Sequence, residues 1–119
     1  MRPIIFLLLT FMIFLSGCII QNNQSSESIT ENDMAASICV AACNDAKNKG
    51  QNLENGPCLL NPMKTEKDFP NLSNWVCDVA HSPRQTIDNQ IENTCSAYRE
   101  GIANHFVEVD NGCNVITIL

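Results

Sequence analysis

Positive charge is scarce in this chain. Seven Lys and Arg stand against 13 Asp and Glu, for a formal net charge of −6. Nucleic-acid binding is dominated by Lys and Arg neutralising phosphates, so this balance argues against nucleic acid as a partner. It also argues against adhesion to an anionic lipid surface through a basic patch. Aromatic residues are few, at 6%. No C-x-x-C occurs, which argues against a thioredoxin-like redox motif. There is no Gly-rich phosphate loop, no H-E-x-x-H and no Ser in a nucleophile-elbow pattern. Those absences remove the common nucleotide-binding, zinc-protease and serine-hydrolase signatures. Length is limited too: 119 residues make one small domain.

Apolar residues concentrate at the start. Met1-Arg2-Pro3 carries one cation, and Ile4 to Leu15, IIFLLLTFMIFL, has Thr10 as its one polar residue. A charged start, a short apolar run and small residues after it form the plan of a secretory signal. A membrane span needs about 20 apolar residues, so a run of this length is short for one. Ile19 and Ile20 would extend it toward an uncleaved anchor, which is the competing reading of the segment.

The run ends in Leu15-Ser16-Gly17-Cys18. This tetrapeptide resembles the lipobox of prokaryotic (bacterial or archaeal) lipoproteins: an aliphatic residue, two small ones, then Cys. The resemblance covers residues 1–18. It implies that the Cys18 thiol takes a diacylglycerol through a thioether and that residues 1–17 are then removed. In many lineages the freed amine is also acylated. Two or three acyl chains anchor stably where one does not. The expected location is therefore the cell membrane, with the domain on the extracytoplasmic side. Removing the one cation of residues 1–17 takes the formal net charge from −6 to −7, so attachment rests on lipid and not on charge.

Residues 18–31 follow as lipidated Cys and tether. Residues 21–28, QNNQSSES, are polar and without aromatics, with a reach of roughly 20 Å. The domain is expected over 32–119. Its first element reads as a helix over about 32–49. Thr30 or Asn32 can cap it, Glu31 and Asp33 suit its positive end, and Gly50 can stop it. Met34, Ile38 with Cys39, and Ala42 with Cys43 recur at helical spacing. Residues 50–74 are rich in Asn, Gly and Pro and read as loop with at most short ordered pieces. Trp75 to Ala80 reads as a strand with Trp75, Cys77 and Val79 on one face. Thr94 to Glu100 has the makings of one or two helical turns ended by Gly101.

The clearest strand signal is C-terminal. Two β-rich runs flank Asn111-Gly112, which predicts a hairpin over about 105–118 with a two-residue type I′ turn. That turn would pair Asp110 with Cys113, Glu108 with Val115 and Val107 with Ile116. Val107, Val109, Ile116 and Ile118 would share a buried face; Phe106, Glu108, Cys113 and Val115 would share the other. One helix and a small antiparallel sheet make a disulfide-stapled α+β domain.

Seven Cys less Cys18 leave Cys39, Cys43, Cys58, Cys77, Cys95 and Cys113. An even number in a small exported domain predicts three disulfides. Cys39 and Cys43 lie one helical turn apart and would strain to reach each other, so they should tie the helix to later segments. The connectivity stays open beyond that. A zinc site from Cys39-x₃-Cys43 and Cys77-x₃-His81 is the alternative use of these residues, although the spacings differ from the common C-x₂-C knuckles.

Two stretches, WVCDVAHSPR (Trp75 to Arg84) and NHFVEVD (Asn104 to Asp110), are similar to segments of small uncharacterised exported Cys-rich proteins of archaea and bacteria. That similarity implies no activity. Asp78, His81, Arg84, Asp88, His105 and Glu108 are the residues from which a polar site can be assembled. In an enzyme, Asp78 would orient His81 as a general base, and Arg84 would hold an anion. The plainer reading is pairing that fixes a loop. Asp110-Asn111-Gly112 resembles a calcium-loop fragment but lacks the alternating ligands and terminal Glu, and reads as turn chemistry. Phe69, Trp75, Tyr98 and Phe106 are expected in the core. Asn23-Gln24-Ser25 and Asn71-Leu72-Ser73 fit the N-glycosylation sequon.

The expected function is a non-enzymatic binding or envelope module, held at the membrane by its lipid. It would meet an envelope protein or ligand and use no cofactor beyond that lipid. The alternatives are a small hydrolase-like enzyme using His81 and Asp78, and a zinc-binding domain.

Overall fold

The computed structural model describes residues 28–64 and 72–119. The expected leader, Cys18, the tether through 27, Asn23, Phe69 and Asn71 lie outside the described residues. Among those described, no helix is long and apolar enough to cross a membrane.

Helix α1 runs Glu31–Asn48. Thr30 caps it with a reciprocal box: its hydroxyl accepts from Asp33 N–H, and the Asp33 carboxylate accepts from Thr30 N–H at 3.1 Å. Ala35, Cys39, Cys43 and Ala46 are its buried positions, with Met34 and Ile38 packed at the edge. The predicted stripe is rotated by a small angle, and small side chains let the helix lie close to the sheet.

Four strands follow: β1 Cys58–Leu60, β2 Trp75–Val79, β3 His105–Val109 and β4 Val115–Ile118. They lie in the order β1-β2-β3-β4. The two outer pairings are antiparallel, but the central β2–β3 pair is parallel. The sheet is thus mixed rather than purely antiparallel. A parallel pair requires a crossover, and residues 80–104 supply it. They form two 3₁₀ turns, Thr86–Asn89 and Ile91–Asn93, and a short helix α2, Ser96–Arg99.

α1 covers one face of the sheet. Trp75, Cys77, Val79, Val107 and Val109 point into that layer and are buried. The crossover covers the other face, where Val76 and Phe106 meet Cys95, Ala97 and Ala103. With both faces covered, all five residues of β2 are buried.

The disulfides are Cys39–Cys77, Cys43–Cys113 and Cys58–Cys95. Both helix cysteines tie to later segments, as their spacing predicts. The expected zinc set is spent: Cys39, Cys43 and Cys77 are all bridged and offer no thiolate.

The hairpin differs from its predicted register. Cys113 N–H donates to Asp110 O, and Asp110 N–H donates to Asn114 O. The loop therefore has three residues, and Cys113 rather than Gly112 takes the left-handed conformation (φ 67°). Val107 pairs with Ile118, Glu108 with Thr117 and Val109 with Val115, with a bulge between Glu108 and Val109. The extra loop residue turns Cys113 toward α1, where it joins Cys43, instead of onto the face of Phe106. Asp110 does act as turn chemistry: its Oδ1 accepts from Gly112 N–H at 2.8 Å and Asn114 N–H at 2.9 Å.

Candidate functional site

Side chains alternate along a strand, so Val76 and Asp78 leave β2 on the side away from Trp75, Cys77 and Val79. The parallel register places Val76 beside Phe106 and Asp78 beside Glu108. The crossover arches over these four residues. Beneath it lies a cavity of about 440 Å³. Val76 and Phe106 make its apolar floor and Asp78 and Glu108 its acidic end, while Thr94 and Tyr98 stand on the crossover side.

Asp78 is 7% exposed, and its Oδ1 has no hydrogen-bond partner among the described residues. Burial pushes its pKa up to about 7, and the neighbouring Glu108 charge adds to the rise, while Arg84 pulls it the other way. Desolvation dominates because a carboxylate loses more hydration than a carboxylic acid on entering a poorly polar site. At neutral pH this carboxyl is held near half protonation.

Glu108 is paired with Arg84, whose Nη1 donates to Glu108 Oε1. The Glu108 bond raises the Arg84 pKa further. Arg84 is aimed by Asn89, whose Oδ1 accepts from Nε at 3.0 Å.

His81 is not part of this group. Its Nδ1 lies 2.7 Å from Asp88 Oδ1, and its backbone N–H donates to Asp88 Oδ2 at 3.1 Å. Asp88 also accepts from Gln85 N–H at 2.7 Å. Burial works to raise the Asp88 pKa, but bonds from the Gln85 backbone and from His81 outweigh it and hold the carboxyl below its usual range. Asp88 thus knots the start of the crossover. His105 is farther still, with its ring stacked on Trp75 at 4.7 Å between centroids. The structure therefore joins Asp78, Arg84 and Glu108 and leaves His81 with Asp88.

Tyr98 departs from its expected place in the core. It is 40% exposed and meets Phe106 edge-on at 4.9 Å at the cavity. Thr94, Tyr98, Asn89 and Arg99 carried no sequence signal for a site. Asp78 did carry one, as an acid inside the otherwise apolar WVCDV.

An oxygen of Asp78 and the sulfurs of Cys58 and Cys95 all lie within 4.8 Å of one another. These sulfurs are bonded to each other, so the cluster is an acid against a disulfide and not a thiolate metal site.

No protein-family model matches the chain, and neither does a curated protein or a solved structure.

Proposed function

We propose that the protein is a lipid-anchored extracytoplasmic module that binds a small ligand in the cavity beneath the crossover. The ligand carries a hydrogen-bond-donating head, such as an amine, amide or hydroxyl, on a flat apolar body. One observation carries this reading: the cavity is lined by Asp78, a buried carboxyl whose Oδ1 has no hydrogen-bond partner among the described residues. A buried acceptor left unmade costs about 1–3 kcal/mol, and a donor arriving on a ligand recovers it. The volume lies within the roughly 300–1,000 Å³ of small-molecule sites. Val76, Phe106 and Tyr98 match an apolar body.

Three further features support the rest. The lipobox-like Leu15-Ser16-Gly17-Cys18 motif favours lipid attachment. Three disulfides suit an oxidising compartment. The pairing of His81 with Asp88 weighs against the hydrolase alternative, since the expected general base is engaged away from the cavity.

Tyramine, an amine on an aromatic ring, is the probe. Titrated into the mature protein, it should shift the NMR resonances of Val76, Thr94 and Phe106, and Asp78→Val should abolish the shifts. Shifts absent in the wild type, or equal in the variant, would refute the cavity as a binding site. The anchor is tested separately by mass spectrometry of the mature N-terminus. Acyl groups on Cys18 are expected, and Cys18→Ser should remove them; an intact Met1 in the native protein would refute the anchor.

A further inference from the structure

The three disulfides do not share one environment. Cys39–Cys77 and Cys43–Cys113 lie under α1, with all four residues buried. Cys58–Cys95 lies on the opposite face, with Cys58 only half-buried on β1 and Cys95 lining the cavity. Cys58 is also the cross-strand partner of Asp78 in the β1–β2 pairing. Among the described residues, this bridge alone of the three has a carboxyl oxygen grouped with both of its sulfurs. The Asp110 carboxylate, at the start of the loop that carries Cys113, is instead bonded by the N–H groups of Asn114 and Gly112, which hold its pKa below the usual range.

We propose that Cys58–Cys95 is a thiol–disulfide exchange site for an external dithiol, with Asp78 as the proton donor to the departing Cys95 sulfur. One thiolate of the dithiol attacks the sulfur of Cys58, the less buried of the two residues. The Cys58–Cys95 bond breaks, its electron pair goes to Cys95 Sγ, and the Asp78 proton moves onto that sulfur. The second thiol of the reagent, deprotonated by water, then attacks its own partner sulfur in the mixed disulfide. Cys58 leaves and takes a proton from solvent, and Asp78 is reprotonated from solvent. The dithiol is oxidised to its disulfide, and the two cysteines are reduced.

The surroundings suit both states. A departing sulfur is a better leaving group when it is protonated as it leaves than when it must remain a buried anion. Between giving up its proton and regaining one from solvent, Asp78 is a carboxylate with the Cys95 S–H beside it as a donor. Cys77 O, 3.4 Å from Cys95 Sγ, is a second acceptor for the same thiol. The charged and titratable groups around Asp78 are Glu108 from β3, Arg84 and Asp88 from the crossover, and Arg99 with Tyr98 from α2. β1 contributes Cys58 and no charge.

The experiment treats the full mature protein with limiting dithiothreitol across pH 5.5–9, quenches with acid, alkylates and maps the labelled cysteines by mass spectrometry. Cys58 and Cys95 should be labelled first, well ahead of the two bridges under α1. The rate constant per reagent thiolate should fall above pH about 7, approaching about tenfold per pH unit, as Asp78 loses its proton. Asp78→Asn should flatten that profile. Prior labelling of Cys39–Cys77 or Cys43–Cys113, or an Asn variant with the wild-type profile, would overturn the proposal. Should Asp78→Asn not fold, Glu108→Gln decides: removing the facing charge must move the break to lower pH, and an unmoved break overturns the proposal. Absence of tyramine binding would leave this result untouched, since the exchange needs no ligand in the cavity.

Discussion

At the scale of single residues, Asp78 sets the pH behaviour of the domain. Its folded pKa of about 7 lies above the usual carboxyl value of 3.8. The folded state therefore binds an extra proton between those values. The resulting stabilisation is fully present below pH about 4 and is lost as pH rises through about 7. Asp88 and Asp110 act oppositely: their lowered pKa values stabilise above the ordinary carboxyl range and fail as pH falls below it. Stability should thus peak in mildly acidic solution. Urea unfolding at pH 5 and pH 8 should differ by about 2–3 kcal/mol through Asp78, with pH 8 the weaker. Asp78→Val should erase that difference and raise stability at pH 8 by about 1–3 kcal/mol, since an apolar side chain of similar shape leaves no acceptor unmet. Stability gained at the cost of tyramine binding would mark the carboxyl as retained for function. Gly56 makes the contrasting case. It sits at φ +67°, and a Cβ there would lie 2.7 Å from Asp88 Oδ1 and 2.8 Å from Val79 O. Gly56→Ala should cost at least about 1–2 kcal/mol from the left-handed backbone alone, measured by the same unfolding experiment.

At the scale of elements, local rules were legible and long-range pairing was not. The sequence offered Thr30 or Asn32 as the cap and placed the start of α1 within one residue, and the structure uses Thr30 with Asp33 closing the box. Thr30→Ala should cost about 1 kcal/mol in chemical denaturation. Strand β2 was readable from its alternation, and α2 from the Gly101 stop, which has φ +75°. The hairpin was found but misregistered. Asn111-Gly112 signals a two-residue turn, yet the tie from Cys43 to Cys113 accompanies a three-residue loop in which Cys113 takes the left-handed position. Nothing local announces that choice, for its partner lies 70 residues away. The parallel β2–β3 pairing was illegible for a like reason, since strand direction depends on where the intervening chain runs. The candidate site inherits this limit. Asp78 and Glu108 were nameable as acids in apolar strands and Arg84 as a cation six residues after Asp78, whereas Tyr98 and Thr94 became wall residues only when the crossover folded over the sheet.

At the scale of the whole molecule, two disulfides hold α1 to the sheet, and the third holds β1 to the crossover. By loop-closure entropy each contributes about 4 kcal/mol, and the Cys43–Cys113 bridge, which closes the longest loop, contributes about half a kcal/mol more than either other. The double Ser variant at Cys43 and Cys113 should therefore show the largest drop in unfolding free energy of the three paired deletions. Loss of Cys58–Cys95 should leave the helical far-UV signal intact, because α1 keeps both of its bridges.

The parallel centre of the sheet has a consequence for how the protein can change. A chain that must return in the same direction has to run back across one side of the sheet, so a single uninterrupted stretch, residues 80–104, roofs the chamber. The opposite side, where helix and strands are riveted by two covalent links, supplies no part of that roof. The roof of the chamber and the two bridges to α1 thereby lie on opposite sides of the sheet. A substitution in the roof can therefore reshape the chamber without touching either bridge to α1, and the floor, with Asp78 and Glu108, stays in place.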